Sequence, residues 1–420
     1  MLLSGKKILV GVTGSIAIYK SLELIRLYTK AGAEVRVVMS EAAKRFVAPL
    51  TFEALTRTPV LDETTESWSS DNNHIDIGKW ADLYVIAPVT ANTLNKLSNG
   101  IADNLVTQVA LAYTEKQILL APAANTQMYQ NNTTKASLKM LKILNFDEVA
   151  PQKKLLACGD EGTGAMADPE AIFHKSAQIL LKEPYWTNRR VVVTGGGTKE
   201  KIDQVRYISN FSSGKMAAAL SKALYYKGAD VCLLQTQKIE GLPEDLYVID
   251  VEDSKELKEY LVDAIRVAKK GVLTKVTLMD DSVPELIQKQ PYLFMAAAVS
   301  DYVPKYPQQG KLKKEALGDE WCLELVKNED ILASVNKEGI YTIGFKAESD
   351  PQTALANAKA MLEAKGLDAV CLNNISDNPF GSDENEITLI THQETTTLPK
   401  ADKLTLSLAL LEKLETLGEK

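Results

Sequence analysis

Three side chains in the first half of the chain are of types that take part in proton-transfer chemistry. His74 lies in Asn72-Asn73-His74-Ile75, and Asn125 follows Pro122-Ala123-Ala124. Cys158 sits in the glycine-rich stretch Ala157-Cys158-Gly159-Asp160-Glu161-Gly162-Thr163-Gly164. An imidazole titrating near neutrality, a neutral hydrogen-bonding amide and a thiol are the ingredients of acid–base work on a polar substrate. Each also has an ordinary reading, respectively a loop histidine, an Asx turn and a free buried thiol. A second set lies further on. Gly195-Gly196-Gly197-Thr198-Lys199-Glu200, Ile202-Asp203, Val205-Arg206-Tyr207-Ile208-Ser209-Asn210 and Ser212-Ser213-Gly214-Lys215-Met216 combine loop amides, hydroxyls and cations. That mixture suits phosphate and carboxylate recognition, against the alternative of a serine-capped surface loop. Lys311-Leu312-Lys313-Lys314 adds a cationic cluster, which taken alone reads as a solvated charge run.

The elements that must position these groups start twice. Lys7 to Val12 is a β-branched run ending at Thr13-Gly14-Ser15. A helical pattern follows with Ile18, Leu22 and Ile25 on one face, stops at Gly32, and gives way to a strand from Val35 to Met39. From Arg190 the grammar returns. Val191-Val192-Val193 leads to Thr194-Gly195-Gly196-Gly197, and a helix carries Met216, Leu220, Ala223 and Leu224. That helix stops at Gly228 before a strand from Val231 to Leu234. Further strands are expected at Leu83–Ala87, Ile118–Ala121, Tyr247–Val251, Leu293–Val299, Tyr341–Phe345 and Ala369–Leu372. The fold class is therefore α/β, two doubly wound Rossmann-like parallel-sheet domains over 1–183 and 187–420. Ligands of such sheets lie beyond the carboxyl ends of the strands.

Neither half fits a dinucleotide-binding domain, which needs an acidic residue at the end of its second strand. Here those strands end in Met39-Ser40 and Gln235-Thr236, while Glu34 and Asp230 stand at the strand starts. A small hydroxyl at Ser40 suits a flavin mononucleotide phosphate or ring edge. No GxxxxGK[ST] sequence occurs, which excludes a P-loop. The formal charge of −7 argues against nucleic acid as a partner. No apolar run reaches the ~20 residues of a membrane span, and Met1–Val10 lacks the features of a secretory signal. Four scattered cysteines show no paired spacing, so a cytoplasmic location is expected. Cys232, Cys322 and Cys371 read as packing residues near strands.

Several motifs in order give the first half a resemblance. Gly14-Ser15-Ile16-Ala17-Ile18-Tyr19-Lys20, Asn73-His74-Ile75, Thr90-Ala91-Asn92-Thr93 with Gly100-Ile101-Ala102-Asp103, and Ala157-Cys158-Gly159-Asp160 resemble motifs of the flavin-dependent cysteine decarboxylase family. The resemblance covers nearly all of residues 1–180. It implies FMN held by Gly14, Ser15, Ile16, Ser40, Thr90 and Thr93, between subunits of a trimer. The implied substrate is 4′-phospho-N-pantothenoylcysteine. Oxidation of its thiol-bearing carbon to a thioaldehyde would create an electron sink for loss of CO₂. His74 would be the base-like group, with an unperturbed pKa of about 6.5. Asn125 would hold the carboxylate, and Cys158 would donate the final proton. Three positions depart from the family pattern: Ala124 replaces a methionine before Asn125, Tyr129 replaces a tryptophan after Met128, and Ala165 replaces an arginine before Met166.

The second half resembles the phosphopantothenate–cysteine ligase family over about 189–400. Besides the 195–216 segment it carries Ala296-Ala297-Ala298-Val299-Ser300-Asp301-Tyr302, the Lys311 cluster, Lys327-Asn328-Glu329-Asp330-Ile331, Gly344-Phe345 with Glu348, and Lys365 with Asp368. The resemblance implies that the carboxylate of 4′-phosphopantothenate attacks the α-phosphate of CTP, and the amine of L-cysteine then displaces CMP. Both steps load negative charge onto phosphoryl oxygens, which calls for lysines and Mg²⁺. Ala296, Ala297, Asn328, Glu329, Asp330, Ile331, Phe345 and Lys365 would form the nucleotide pocket, with Lys311 on the transferring phosphoryl group and Asp301 on the metal. Arg206, Asn210 and Ala298 would bind substrate, Asn210 close to the reacting carbonyl. Ser300 stands where the family has alanine, Met361 stands where it has a lysine, and the stretch near 270–284 is longer than usual. The expected assembly is a homo-oligomer, trimers of the first domain joined by dimers of the second, up to a dodecamer. Two rivals are a flavin decarboxylase with a non-catalytic nucleotide-binding C-terminal domain and a non-catalytic assembly subunit. Consumption of CTP and cysteine excludes the first; retention of His74, Asn125, Cys158, Asn210 and Lys311 weighs against the second.

Overall fold

The computed structural model describes every residue except 114–115, 156–158, 160, 275–282, 314–316, 377–378, 380 and 419–420. Cys158 therefore lies outside the described residues, as does most of the 270–284 stretch. Met1–Leu181 form one compact unit; Lys182–Thr274 and Glu285 onward form the other. Glu183 belongs to the second unit, where its amide donates to the Lys227 carbonyl at 3.0 Å and its carboxylate pairs with the Lys227 ammonium.

In the first unit five parallel strands, β1 (Lys7–Val12), β2 (Glu34–Met39), β3 (Leu83–Val89), β4 (Ile118–Pro122) and β5 (Phe146–Glu148), lie in the order β2-β1-β3-β4-β5. All seven residues of β3 are buried, which is why it reads as an unbroken apolar run instead of an alternation. The helix Ile18–Lys30 buries Ile18, Ser21, Leu24, Ile25 and Tyr28, a stripe at helical spacing, while Leu22 sits at its half-buried margin. The helix stops because Gly32 turns the chain at φ +91°, which a side chain would resist. Truncating a fully buried member such as Leu9 or Leu24 to alanine would cost roughly 2–5 kcal/mol. β5 was not expected: it is three residues long, with no apolar run to mark it.

The second unit holds β6 (Arg190–Gly195), β7 (Asp230–Gln235), β8 (Tyr247–Asp250), β9 (Tyr292–Met295), β10 (Tyr341–Glu348), β11 (Ala369–Asn374), β12 (Glu384–Thr391) and β13 (Thr395–Asp402). Their order is β8-β7-β6-β9-β10-β11-β12-β13. The first six are parallel in the 3-2-1-4-5-6 order of dinucleotide-binding sheets. β12 and β13 then extend the edge as an antiparallel hairpin that the reading of parallel strands had left out. Its signal was the alternation of buried Asn385, Ile387 and Leu389 with outward Glu384, Glu386 and Thr388. β9 ends at Met295, short of the expected Val299, because the next amides bond elsewhere. Ala297 donates to the Thr194 hydroxyl at 3.1 Å and Ala298 to the Gly196 carbonyl at 2.8 Å. Of the cysteines, Cys371 is buried but Cys322 is exposed, so it is no packing residue. Among the described residues no helix is long and apolar enough to cross a membrane.

Candidate active sites

In the first unit the chain leaves the carboxyl ends of β1, β2, β3 and β4 around one cavity of about 540 Å³. Thr13, Gly14 and Ser15 come from the first exit, Ser40 and Ala42 from the second, Thr90 and Thr93 from the third, Ala123 and Ala124 from the fourth. This is the point where strand order reverses about β1, the expected ligand crevice of a doubly wound sheet. Its wall is pinned from within. The Thr13 hydroxyl donates to the Pro88 carbonyl at 2.8 Å and accepts from the Thr90 amide at 3.1 Å, and Thr90 caps the helix Ala91–Ser98 by accepting from the Thr93 amide at 3.3 Å. At Gly14 a methyl group would stand 2.7 Å from the Ala42 side chain, so the β1 turn packs against the β2 exit only without one. Ser40 Oγ is buried on this wall with no hydrogen-bond partner among the described residues, an acceptor-donor that a bound polar group would satisfy. Lys96 on the wall is paired with Asp103 at 2.6 Å.

Five of the six residues expected to hold flavin line this cavity. Ile16 does not; it follows the turn and is largely exposed. His74 and Asn125 are not among the lining residues of this single chain either. His74 opens the helix His74–Trp80, capped by Asn73, whose Oδ1 accepts from the Ile75 and Asp76 amides. Its Nδ1 lies 2.7 Å from Glu66 Oε1 and its ring meets the edge of Trp68. A carboxylate only accepts, so in the neutral imidazole Nδ1 carries the proton and Nε2 is the basic position. Sequence reading missed Glu66, which precedes His74 by eight residues in a stretch without periodicity. Asn125 caps the short helix Thr126–Gln130, accepting from the Gln127 amide at 2.9 Å.

In the second unit the rim gathers a larger cavity of about 900 Å³, near the top of the roughly 300–1,000 Å³ range of small-molecule sites. Every residue expected to bind nucleotide except Lys311 lines it: Ala296, Ala297, Asp301, Asn328, Glu329, Asp330, Ile331, Phe345 and Lys365; so do Asn210 and Ala298. The Asn328 side chain clamps this wall, donating to the Ser300 carbonyl at 2.8 Å while its amide donates to the Asp301 carbonyl at 2.7 Å. Asn210 Nδ2 donates to the Val299 carbonyl at 3.0 Å. Asp330 caps the helix Ile331–Ser334 and pairs with Lys365 at 2.8 Å. Partial burial pushes its carboxyl up, but the Lys365 bond and the capping amide outweigh it and hold the carboxyl below its ordinary range. Ser300 Oγ and Asn373 Oδ1 are buried beside the cavity without partners among the described residues.

One expected substrate ligand, Arg206, and one expected nucleotide ligand, Lys311, lie off this wall. Arg206 bonds Asp203 through Nε at 3.0 Å and Nη2 at 2.5 Å, and Nη2 also donates to the Leu312 carbonyl at 3.0 Å, which keeps the guanidinium away from the cavity. Lys311 adjoins Leu312 and lies outside the lining with it. The glycine turn at 195–197 is not among the residues lining this cavity either. The Gly196 carbonyl and Thr198 amide pair with Ala298, and a methyl group on Gly197 would stand 2.5 Å from the Asn210 carbonyl. Ser212, Ser213, Gly214 and Lys215 at the start of the helix Lys215–Tyr226 take that place on the wall, joined by Lys403 from the C-terminal helix Lys403–Glu415. Lys403 carried no motif, so nothing local marked it. Burial, and then the nearby Lys215 charge, push its pKa down. Met361 lines the cavity and packs on the apolar core where a lysine was expected.

Comparison with known proteins matches both units. Residues 2–181 fit the Flavoprotein family, and 186–274 with 269–417 fit the DNA/pantothenate metabolism flavoprotein C-terminal domain. The coenzyme A biosynthesis bifunctional protein CoaBC of Vibrio vulnificus strain CMCP6 is 35% identical over 421 residues, covering 99% of this chain and 98% of that protein. Its counterpart in Haemophilus influenzae is 36% identical over 394 residues, covering 93% and 92%. A solved PPC decarboxylase variant complexed with pantothenoylaminoethenethiol is 36% identical and covers 41% of this chain and 96% of that one, at a TM-score of 0.38. With both halves matched in order and relatives aligned from end to end, the chain belongs to the family of bifunctional coenzyme A biosynthesis proteins, a flavoprotein unit followed by a pantothenate-metabolism unit.

Proposed function

We propose that the second unit joins 4′-phosphopantothenate to L-cysteine at the expense of CTP, and that the first unit decarboxylates the product, 4′-phospho-N-pantothenoyl-L-cysteine, to 4′-phosphopantetheine with FMN. The observation that carries this reading is the rim cavity of the second unit, where residues scattered from Asn210 to Lys365 meet as the ligase resemblance requires.

In the ligation, Ala296, Ala297, Asn328, Glu329, Ile331 and Phe345 shape the nucleotide pocket, and Lys365 sets positive charge beside it. Asn210 and Ala298 hold the pantothenoyl part, and Arg206 its charged end. Lys311 neutralises the charge that builds on the α-phosphate as the carboxylate attacks, a stabilisation worth most where water is excluded. Among the described residues no group of three metal-ligating side chains exists. Mg²⁺ is commonly held by one or two carboxylates and the substrate's own phosphates. Asp301 on the cavity wall is that carboxylate.

For FMN, the unpartnered Ser40 hydroxyl and the Ser15, Thr90 and Thr93 hydroxyls fit a polar phosphate or ring edge, while Thr13 braces the wall between them. Gly14 and Ser15 present the amide-rich turn, and Ile16 lies beside it. When bound, the flavin supplies two-electron oxidation of the thiol-bearing carbon and the return of the hydride equivalent. His74, with Nδ1 held by Glu66, offers Nε2 as the base. Asn125 binds the substrate carboxylate, and Cys158 gives the proton to the product. Because His74 and Asn125 do not line the cavity of their own chain, we place the working site between chains of a homo-oligomer, a trimer of the first unit.

The test is a purified yellow protein given phosphopantothenate, cysteine and CTP. Phosphopantetheine, CO₂, CMP and pyrophosphate are expected together, each dependent on CTP. Decarboxylation of supplied substrate without any consumption of CTP and cysteine would leave the second unit a nucleotide-binding appendage.

A further inference from the structure

Arg206 and Lys311 are both assigned to the ligation chemistry, yet neither lines the cavity, and they come from segments far apart in the chain. One buried carboxylate joins them. The side chain of Asp203 is fully buried, and its oxygens accept from the Val205 amide at 2.8 Å, the Arg206 amide at 2.7 Å and the Leu312 amide at 3.1 Å. They also accept from Nε and Nη2 of Arg206. An ionised carboxylate offers about four acceptor positions, so this one is saturated. Arg206 closes the ring by donating to the Leu312 carbonyl, and its guanidinium lies over the Trp321 ring at 5.1 Å. A second stitch runs from the Gln308 amide to the Ile202 carbonyl at 2.9 Å. The hairpin that starts here, Glu200–Lys201 against Tyr207–Ile208, continues directly to Asn210 on the cavity wall.

We propose that Asp203 is a positioning residue of the ligation site, tying Arg206 and the Lys311–Leu312 stretch into one unit placed by the hairpin that carries Asn210. The proposal rests on the ligase reading above. Asn at this position keeps the shape but swaps one acceptor oxygen for a donor that would face the amides and guanidinium, so the ring cannot close.

The experiment is a double-mutant cycle on the full-length protein, reading pyrophosphate release from CTP and phosphopantothenate for wild type, Asp203→Asn, Lys311→Gln and the double variant. Amide exchange at Leu312 is followed in wild type and Asp203→Asn, with amide exchange in the buried strand Arg190–Gly195 of the same unit as the folding control. Asp203→Asn should lower kcat by about 10²-fold, the scale of misplacing a reacting group by an ångström. Lys311→Gln should then cost at most about threefold more, because coupled residues fail to add. The Leu312 amide should lose its protection. A general loss of stability would instead multiply the two effects and leave Lys311→Gln equally costly in both backgrounds; that result, or an equally protected Leu312 amide, overturns the proposal. A wild type that releases no pyrophosphate overturns the ligase reading and the proposal with it.

Discussion

The two rim cavities are built on the same principle and lined in opposite styles. The first is walled mostly by small hydroxyl-bearing residues, glycine and alanine, with Lys96 paired to Asp103 and the carboxylates Glu41, itself paired with Lys44, and Glu63 at its edge. The second is walled by opposed charges, with Lys215, Lys327, Lys346, Lys365 and Lys403 facing Asp301, Glu329, Asp330 and Glu384. A wall in which small hydrogen-bonding groups predominate suits a ligand held by many directed bonds. A wall of both signs suits a highly charged co-substrate that arrives with a metal and leaves in pieces. The cavities differ also in completeness. One chain brings all the expected nucleotide residues of the second together except Lys311, whereas the imidazole and amide assigned to the chemistry of the first do not line its cavity.

The contrast is tested most sharply at the groups assigned to the chemistry of each unit. Cys158→Ala should continue to release CO₂ and reduce the flavin but form no phosphopantetheine, an all-or-none loss visible by product chromatography. Normal yield would remove the thiol from the reaction. Lys311→Gln should slow CTP-dependent pyrophosphate release by about 10²–10³-fold, the usual weight of one donor to a developing oxyanion, and spare decarboxylation of supplied substrate. Equal rates in wild type and variant would leave the lysine a solvated charge. Ser40→Ala should weaken flavin retention by about threefold to tenfold, as for one neutral hydrogen bond, when bound FMN is titrated by fluorescence. No change would mean that the orphaned hydroxyl does not face the cofactor.

The smallest effect concerns how the first unit is fastened. Burial pushes the Asp168 carboxyl up, but bonds from Lys20, Lys154 and Gln152 outweigh it and bring it down to about 2. A carboxyl depressed by folding stabilises fully above its ordinary value near 3.8, and that contribution is lost as pH falls through about 2. Since the group is partly exposed, Asp168→Asn should cost no more than about 1 kcal/mol at neutral pH. The gap between wild type and variant in denaturant midpoint should close near pH 2. A gap that persists there would assign the effect to packing.

Much of this was legible before any coordinates. The strand–turn–helix–strand grammar at Lys7 and again at Arg190 rests on neighbours in the chain: β-branched runs, helical spacing and a glycine past each helix end. Gly32 and Gly228 both adopt the left-handed backbone that their place after a helix requires. Less legible were elements without a local mark, such as β5, and contacts without a motif, such as Glu66 beside His74. The 195–197 turn was ambiguous for a physical reason. A glycine run opens room for phosphate and for packed backbone alike, and here the backbone at Asn210 fills it.

By itself the sequence determined the two sheets, the exits where ligands gather, and the residue types able to work there, because periodicity and turn chemistry act over a few residues. Only tertiary structure decided which of those residues share a wall. Strand order carries Gly214, Asp301, Asp330, Lys346 and Lys403 to one rim from distant parts of the chain. The same long-range pairing ties Arg206 to Leu312 and draws both away from it, through a carboxylate whose importance lies in what surrounds it.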